Sequence, residues 1–512
     1  MSAIHEQAMN YVYQQVLQRL LSYFSRAERT ALQLLIQRLI VAAGGIERIS
    51  SFKVLVAFGG GKDSAYTLAF VRAAQLSIAC RAPGTFNLRV ASRRHAGMTP
   101  AVMENINRSY GALFLYDDPR VEMLVFDNKY IQPFEPDLPF SSAGREQNRS
   151  DMLLAGHLSA GDARTTFCNS CYLGLADFIG RASSWGKGVD ALVSGDSRKE
   201  QKQYMTWLMR LARNTGPDAR QQAGQTTAQK SGPWNNQSFN GALRTLDTLA
   251  NAFHQELYGE EEAGDKPAKP SISPIKSSLP ALIGIADLVS CKADEHWALL
   301  TEFLDFRFDD LSFNFSESDC ANPLLMAHMR GLGAQYVQNR SYADGISEYL
   351  GLATSLMRAR QMPGRLIDQA LSAYAGHERI ESRRQLAATF AQEGYGLNET
   401  QLICMLFSPF VDEGRGLEDF LRRNHPGMLI ALPDLHRVLS GATASDQVMH
   451  WLTDNSGLTI EGLRSLYSKH RVDFDDERSI IARIRAADPD KRRITTVDPA
   501  TGKSVVQIVS GR

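Results

Sequence analysis

The stretch Lys53-Val54-Leu55-Val56-Ala57-Phe58-Gly59-Gly60-Gly61-Lys62-Asp63-Ser64 restricts this chain more than any other. Its apolar first half, rich in valine and leucine, reads as a buried parallel strand. Three glycines follow, then Lys-Asp-Ser, then an apolar stripe at helical spacing through Ala65, Leu68 and Ala69. The order is strand, glycine turn, helix. Glycines admit positive φ and let backbone come close to a ligand. The helix aims its first N–H groups and the positive end of its dipole into the turn. Such a turn favours phosphate. Lys62 adds positive charge, and Asp63 offers a carboxylate that can hold magnesium.

Around this stretch the pattern alternates strand and helix from about 51 to 213. Further strands are expected at Phe86–Ala91, Val121–Phe126 and Val189–Val193, with a helix opening at Thr99-Pro100. Alternation of this kind implies an α/β fold, a parallel doubly wound sheet with helices on both faces. Ligands of such sheets sit beyond the carboxyl ends of the strands. The glycine turn, Asp127 and the turn Ser194-Gly195-Asp196-Ser197 all follow strands, so they are expected at one mouth. Arg93, Arg94 and His95 read as a solvated basic turn after the second strand.

Flanking segments divide the rest. Residues 1–50 read as a helical hairpin, with a capping box at Ser25-Arg26-Ala27-Glu28. Residues 51–213 read as the strand–helix domain that carries the glycine turn. Residues 214–275 are rich in Gln, Thr, Gly, Ser and Pro and read as an insertion and linker, with a short helix near Leu243–Leu257. Residues 276–330 carry Cys320, and residues 331–512 read as a helical accessory domain. The tail after Asp488 is charged and is expected to be loosely ordered.

With 512 residues the chain exceeds one ordinary core. Lys+Arg 56 balance Asp+Glu 56, which gives no overall pull toward nucleic acid. No apolar run reaches the length of a membrane span and no leader is visible, so a cytoplasmic protein is expected. Six cysteines in so long a chain do not form a disulfide framework.

Cys168-Asn169-Ser170-Cys171 is the second informative stretch. A C-x-x-C turn at a helix start lowers thiol pKa and points two thiolates at one place. A cluster, a zinc ion, a redox couple and two buried cysteines all remain open. Cys80, Cys291 and Cys404 lie among apolar residues and read as core.

The glycine turn has neither the four-residue spacer of a Walker A loop nor the G-x-G-x-x-G pattern. It resembles the PP-loop of the ATP pyrophosphatase family, Ser-Gly-Gly-x-Asp-Ser, through Gly60, Gly61, Asp63 and Ser64, with Gly59 where that family has serine. The order PP-loop, C-x-x-C, strand, Gly195-Asp196 is similar to that of the iron–sulfur tRNA thiolation enzymes and of PP-loop amidotransferases. Cys320 stands where the thiolation enzymes have their third cysteine, and Gly195-Asp196-Ser197-Arg198-Lys199-Glu200 replaces their Gly-His-x-x-Asp-Asp. The resemblance implies ATP and Mg2+ held by Gly59, Gly60, Gly61, Lys62, Asp63, Ser64 and Gly195, with Lys62, Asp63 and Asp196 as catalytic residues. It implies a 4Fe–4S cluster, or alternatively Zn2+, on Cys168, Cys171 and Cys320. The activity implied is adenylation of a substrate carbonyl with release of pyrophosphate, followed by attack of sulfur; an amide-forming ligase is the alternative. The expected partners are a nucleotide, a carbonyl-bearing small metabolite, peptide or tRNA, and a sulfur-donor protein, with a homodimer open; the neutral charge does not favour tRNA.

Overall fold

The computed structural model describes residues 3–127, 130–167, 173–196, 201–202, 206, 208, 211, 236–259, 280–290, 296–307, 322–359, 364–487, 491–497 and 504–510. Helices α1 (Ala3–Tyr23) and α2 (Arg26–Ala42) come first, joined by Phe24 and Ser25. The expected capping box forms: the Ser25 hydroxyl accepts from the Glu28 N–H, and the Glu28 carboxylate accepts from the Ser25 N–H at 2.7 Å. Strand β1 (Lys53–Ala57), helix α3 (Lys62–Ala79), strand β2 (Asn87–Arg94), helix α4 (Pro100–Ala112) and strand β3 (Val121–Asp127) follow. A short strand β4 (Tyr130–Pro133) turns back along β3. Helices α5 (Ser142–Leu158), α6 (Ala163–Phe167) and α7 (Leu175–Ser184) lead to β5 (Ala191–Ser194). Helix α8 (Asn236–Tyr258) precedes β6 (Ala281–Gly284).

These strands form one sheet in the order β4-β3-β2-β1-β5-β6, parallel throughout except for the antiparallel β4 edge. Side chains alternate across a strand, and the sheet uses this to serve two cores. Val54 and Val56 of β1 enter one core, shared with α2, α3 and α4. Leu55 enters the other, shared with α5, α7, α8 and the helices after Pro323. The helical C-terminal part therefore packs into the same continuous core as one face of the sheet.

Helix α3 is buried on all sides from Ala65 to Ile78. A helix apolar all round needs cover on every side, and α1 and α2 lie over the side that the sheet leaves open. The polar residues on α3 are satisfied locally. Arg72 is fully buried and donates to the Leu113 carbonyl at 3.1 Å, the Phe114 carbonyl at 3.0 Å, Gln75 at 2.6 Å and Asp118 at 2.8 Å. Burial alone would push the Asp118 carboxyl up; hydrogen bonds and charge from Arg120 and Arg72 outweigh it, and its pKa falls below the ordinary value.

Several expectations are corrected. β2 runs on to Arg94, so Arg93 and Arg94 are strand residues and not a solvated turn; Arg94 is buried. The edge strands β4 and β6 carry no strong sequence signal and were not expected. The helix near Leu243 starts at Asn236 and reaches Tyr258. Cys80, read as core, is exposed just beyond α3, whereas Cys404 is buried as expected. The tail after Asp488 contains an antiparallel hairpin of β7 (Lys491–Val497) and β8 (Ser504–Ser510). Most of the expected insertion and linker, residues 212–235 and 260–279, lies outside the described residues. No helix among the described residues is long and apolar enough to cross a membrane.

Candidate functional site

Strand order locates the site. From β1 the chain moves outward to β2 and β3, then returns to lay β5 on the other side of β1. The direction of winding reverses between β1 and β5. A crevice opens at such a switch point, outside the carboxyl ends of the strands. The loop Phe58–Gly61 leaves β1 there, and Gly195-Asp196 leaves β5 beside it.

Phe58 extends β1 by one rung, its N–H donating to the Ala91 carbonyl at 2.8 Å. Gly60 then takes φ +74°, and Gly61 (φ −85°, ψ 167°) is the N-cap of α3. A glycine N-cap has no side chain to close the helix end, so the first turn of an 18-residue helix points at the crevice with its dipole uncapped by a side chain. Lys62 and Ser64 are half-buried in that turn, and Asp63 is exposed. The Ser64 hydroxyl donates to the Gly61 carbonyl at 2.9 Å. Its proton is thus committed within the helix, which leaves the oxygen as an acceptor.

Gly60 rests on α4. A Cβ added there would lie 2.8 Å from Val102 Cγ1 and 2.9 Å from Ile106 Cγ1. Left-handed backbone costs an L-residue about 1–2 kcal/mol, and overpacking adds about 1–3 kcal/mol. Gly60→Ala should therefore lose about 2–5 kcal/mol in urea unfolding. Gly111 on α4 has open space around it, so Gly111→Ala should be neutral or gain a few tenths of a kcal/mol. Equal effects at the two glycines would mean that the turn is not held in this conformation.

Across the switch point, the Ser194 hydroxyl donates to Asp196 Oδ2 at 2.7 Å, and the Asp196 N–H donates back to Ser194 Oγ at 3.2 Å. Asp196 is exposed and its carbonyl accepts from Gln201 at 2.8 Å. Residues 197–200 lie outside the described residues.

Asp127 does not join the open mouth. It is fully buried and receives a forked pair of hydrogen bonds from Arg94, with Nε at 2.8 Å from Oδ1 and Nη2 on Oδ2. The Ser141 N–H donates to the same carboxylate at 3.2 Å. Arg94 in turn holds the Leu138 and Pro139 carbonyls and lies over the Phe140 ring. The arginine that sequence reasoning gave to solvent, and the aspartate it gave to the mouth, satisfy each other. The signal was the strand register, which pairs Arg94 directly with Asp127.

Thr99, at the N-cap of α4, is buried, and its hydroxyl has no hydrogen-bond partner among the described residues. Sequence reasoning passed over it, because a threonine before proline reads as a satisfied cap. Cys168, Cys171 and Cys320, the expected metal ligands, and Cys291 all lie outside the described residues. Among the described residues, no three His, Cys, Asp or Glu side chains group around one point in a way that could hold a metal. Set against family models, curated proteins and solved structures, the chain matches none of them.

Proposed function

We propose that this chain is an adenylating enzyme of the PP-loop ATP pyrophosphatase type. One observation carries the reading. A glycine turn with left-handed Gly60 opens a long helix at the sheet's switch point, and Lys62, Asp63 and Ser64 lie in that helix's first turn. The pyrophosphate half of ATP suits the helix N-terminus and Lys62, and magnesium suits the exposed Asp63 carboxylate with the hydroxyl oxygen of Ser64. A substrate carbonyl oxygen attacks the α-phosphorus, and pyrophosphate leaves. The chain's contribution is positioning and stabilisation of the leaving charge. Asp196, on the other lip of the crevice, is the group available to orient the second nucleophile.

The second step replaces AMP on the activated carbon. In the reading we favour, the nucleophile is sulfur delivered through Cys168, Cys171 and Cys320: a C–S bond forms, the C–O bond breaks, and AMP carries the oxygen away. Ammonia or an amine at the same step gives an amide or amidine instead. Anaerobic purification with iron, zinc and sulfide analysis separates the two, because only the sulfur route calls for iron and acid-labile sulfide.

The test of the first step is product analysis with Mg-ATP and candidate carbonyl substrates. AMP and pyrophosphate in equal amounts are expected; ADP and phosphate would overturn the assignment. Asp63→Ala should lower the rate by about 100-fold or more, the size typical for loss of one charge-stabilising group. Its fold should survive, because Asp63 is exposed and its favourable interaction with the α3 dipole is worth only about 0.3–1 kcal/mol. Unchanged turnover in Asp63→Ala would remove this residue from the mechanism.

A further inference from the structure

The described residues line a half-open cavity of about 480 Å3 far from the glycine turn. It lies against the α5–α6 turn, Ser159 to Arg164. Helix α5 has 17 residues, and the Ser141 N–H just before it is bonded to Asp127 at the end of β3. At 1.5 Å per residue, the cavity sits about 25 Å along α5 from the end of β3. None of its described lining residues belongs to the loops at the switch point.

Its wall has two characters. Four guanidiniums line it, those of Arg164, Arg330, Arg471 and Arg485, against two carboxylates, Asp162 and Asp475. Arg164 and Arg485 are more than nine-tenths buried. Arg485 Nε donates to Asp162 Oδ2 at 2.9 Å, and Arg330 is paired with Glu348, which also takes Arg340 at 2.6 Å. A guanidinium has five N–H donors and a forked carboxylate uses two, so an arginine in an ion pair can still bind a second anion. For the two buried guanidiniums, Arg164 and Arg485, the low dielectric strengthens the attraction for an anion. Met326, Met329, Leu406 and Phe474 give the wall an apolar part, beside the polar Ser159 and Gln338. Methionine side chains adapt to the shape of what they cover.

We propose that this cavity binds a small organic anion, a carboxylate or phosphate head on a short apolar body. The volume falls in the range that holds one small molecule. The guanidiniums take the head in the forked geometry that arginine supplies and lysine does not. The methionines and Phe474 cover the body. The site is independent of the nucleotide reading, and the test leaves ATP and magnesium out.

The experiment is calorimetry on the full chain with hexanoate, hexyl phosphate and hexanol as probes. At least one of the two anions should bind at a single site, tenfold or more tighter than hexanol. Hexanoate alone would mark a carboxylate site, hexyl phosphate alone a phosphate site, and either supports the proposal. Arg471→Glu should weaken the anion by tenfold or more. Arg471 is exposed, and circular dichroism checks that the variant folds. Val337→Asp, at a lining residue that is 37% exposed, should do the same by repulsion. The proposal fails if neither anion binds, if hexanol binds as tightly, or if both variants bind as the parent does.

Discussion

Arg94→Ala will destabilise the chain by about 3–5 kcal/mol, the cost of breaking a buried ion pair from one side. The change leaves the Asp127 carboxylate fully buried with only the Ser141 N–H, at 3.2 Å, of the hydrogen bonds described for it. It also strips the Leu138 and Pro139 carbonyls of the donors that hold this segment down. Arg94→Lys should recover little, because a single ammonium cannot make the fork. The double variant Arg94→Met with Asp127→Leu should be far more stable than either single change, because removing both charges also removes the desolvation cost. Urea unfolding of the four proteins gives the coupling directly. A loss below about 1 kcal/mol in Arg94→Ala would class the pair with exposed ion pairs and sink the argument. Because the pair ties the ends of β2 and β3 to the start of α5, a folded Arg94→Ala should also disturb the rim beside the switch point.

That pair also shows what the sequence could and could not tell. β1, β3, the glycine turn and the start of α4 were legible, because an apolar run bounded by glycine, or by proline at a helix start, is a local signal. The capping box at Ser25 was legible for the same reason. Arg94 was not, since its partner is 33 residues away and charged residues at a strand end read as solvent-facing. A weak signal did exist. Arg89 and Arg94 on β2 stand opposite Glu122 and Asp127 on β3 at matching spacing, and both pairs form. β4 and β6 have four residues each, and only their neighbours in the sheet make them strands. In the C-terminal hairpin, Lys491-Arg492-Arg493 masked the β-branched residues that follow. Of the candidate site, the Gly60 to Ser64 turn and the Ser194 to Asp196 turn could be read because each follows a strand. The arginine-lined cavity could not, because its wall comes from segments more than 300 residues apart, Asp162 and Arg485 among them.

The same helical layer carries the second large expectation, a loss of stability in mild acid. His157 and His328 are buried, and burial lowers each pKa to about 4, from an ordinary value of 6.5. His157 sits beside Phe410, with Nε2 3.4 Å from the Ser456 carbonyl. His328 Nδ1 meets the Tyr342 hydroxyl at 2.8 Å, with Glu399 3.9 Å from Nε2 and Arg384 nearby; burial outweighs the pull of Glu399, and Arg384 reinforces it. Above pH 6.5 both rings are neutral in the folded and unfolded chain, and they cost nothing. Between pH 6.5 and about 4 the unfolded chain takes up a proton at each ring and the folded chain does not, so stability falls as pH falls. At about 1.36 kcal/mol per pH unit per group, the two rings together remove about 4 kcal/mol between pH 7 and pH 5. Asp151 and Asp247, whose carboxyls burial pushes up, act in the opposite sense, because the folded chain holds their protons longer. The histidine share is therefore isolated by comparing the parent with the double variant His157→Gln, His328→Gln. The parent should lose several kcal/mol in urea unfolding from pH 7 to pH 5, and the double variant, less stable at pH 7, should lose far less over the same interval. Parallel curves for the two proteins would show that neither ring is the group taking up protons on unfolding.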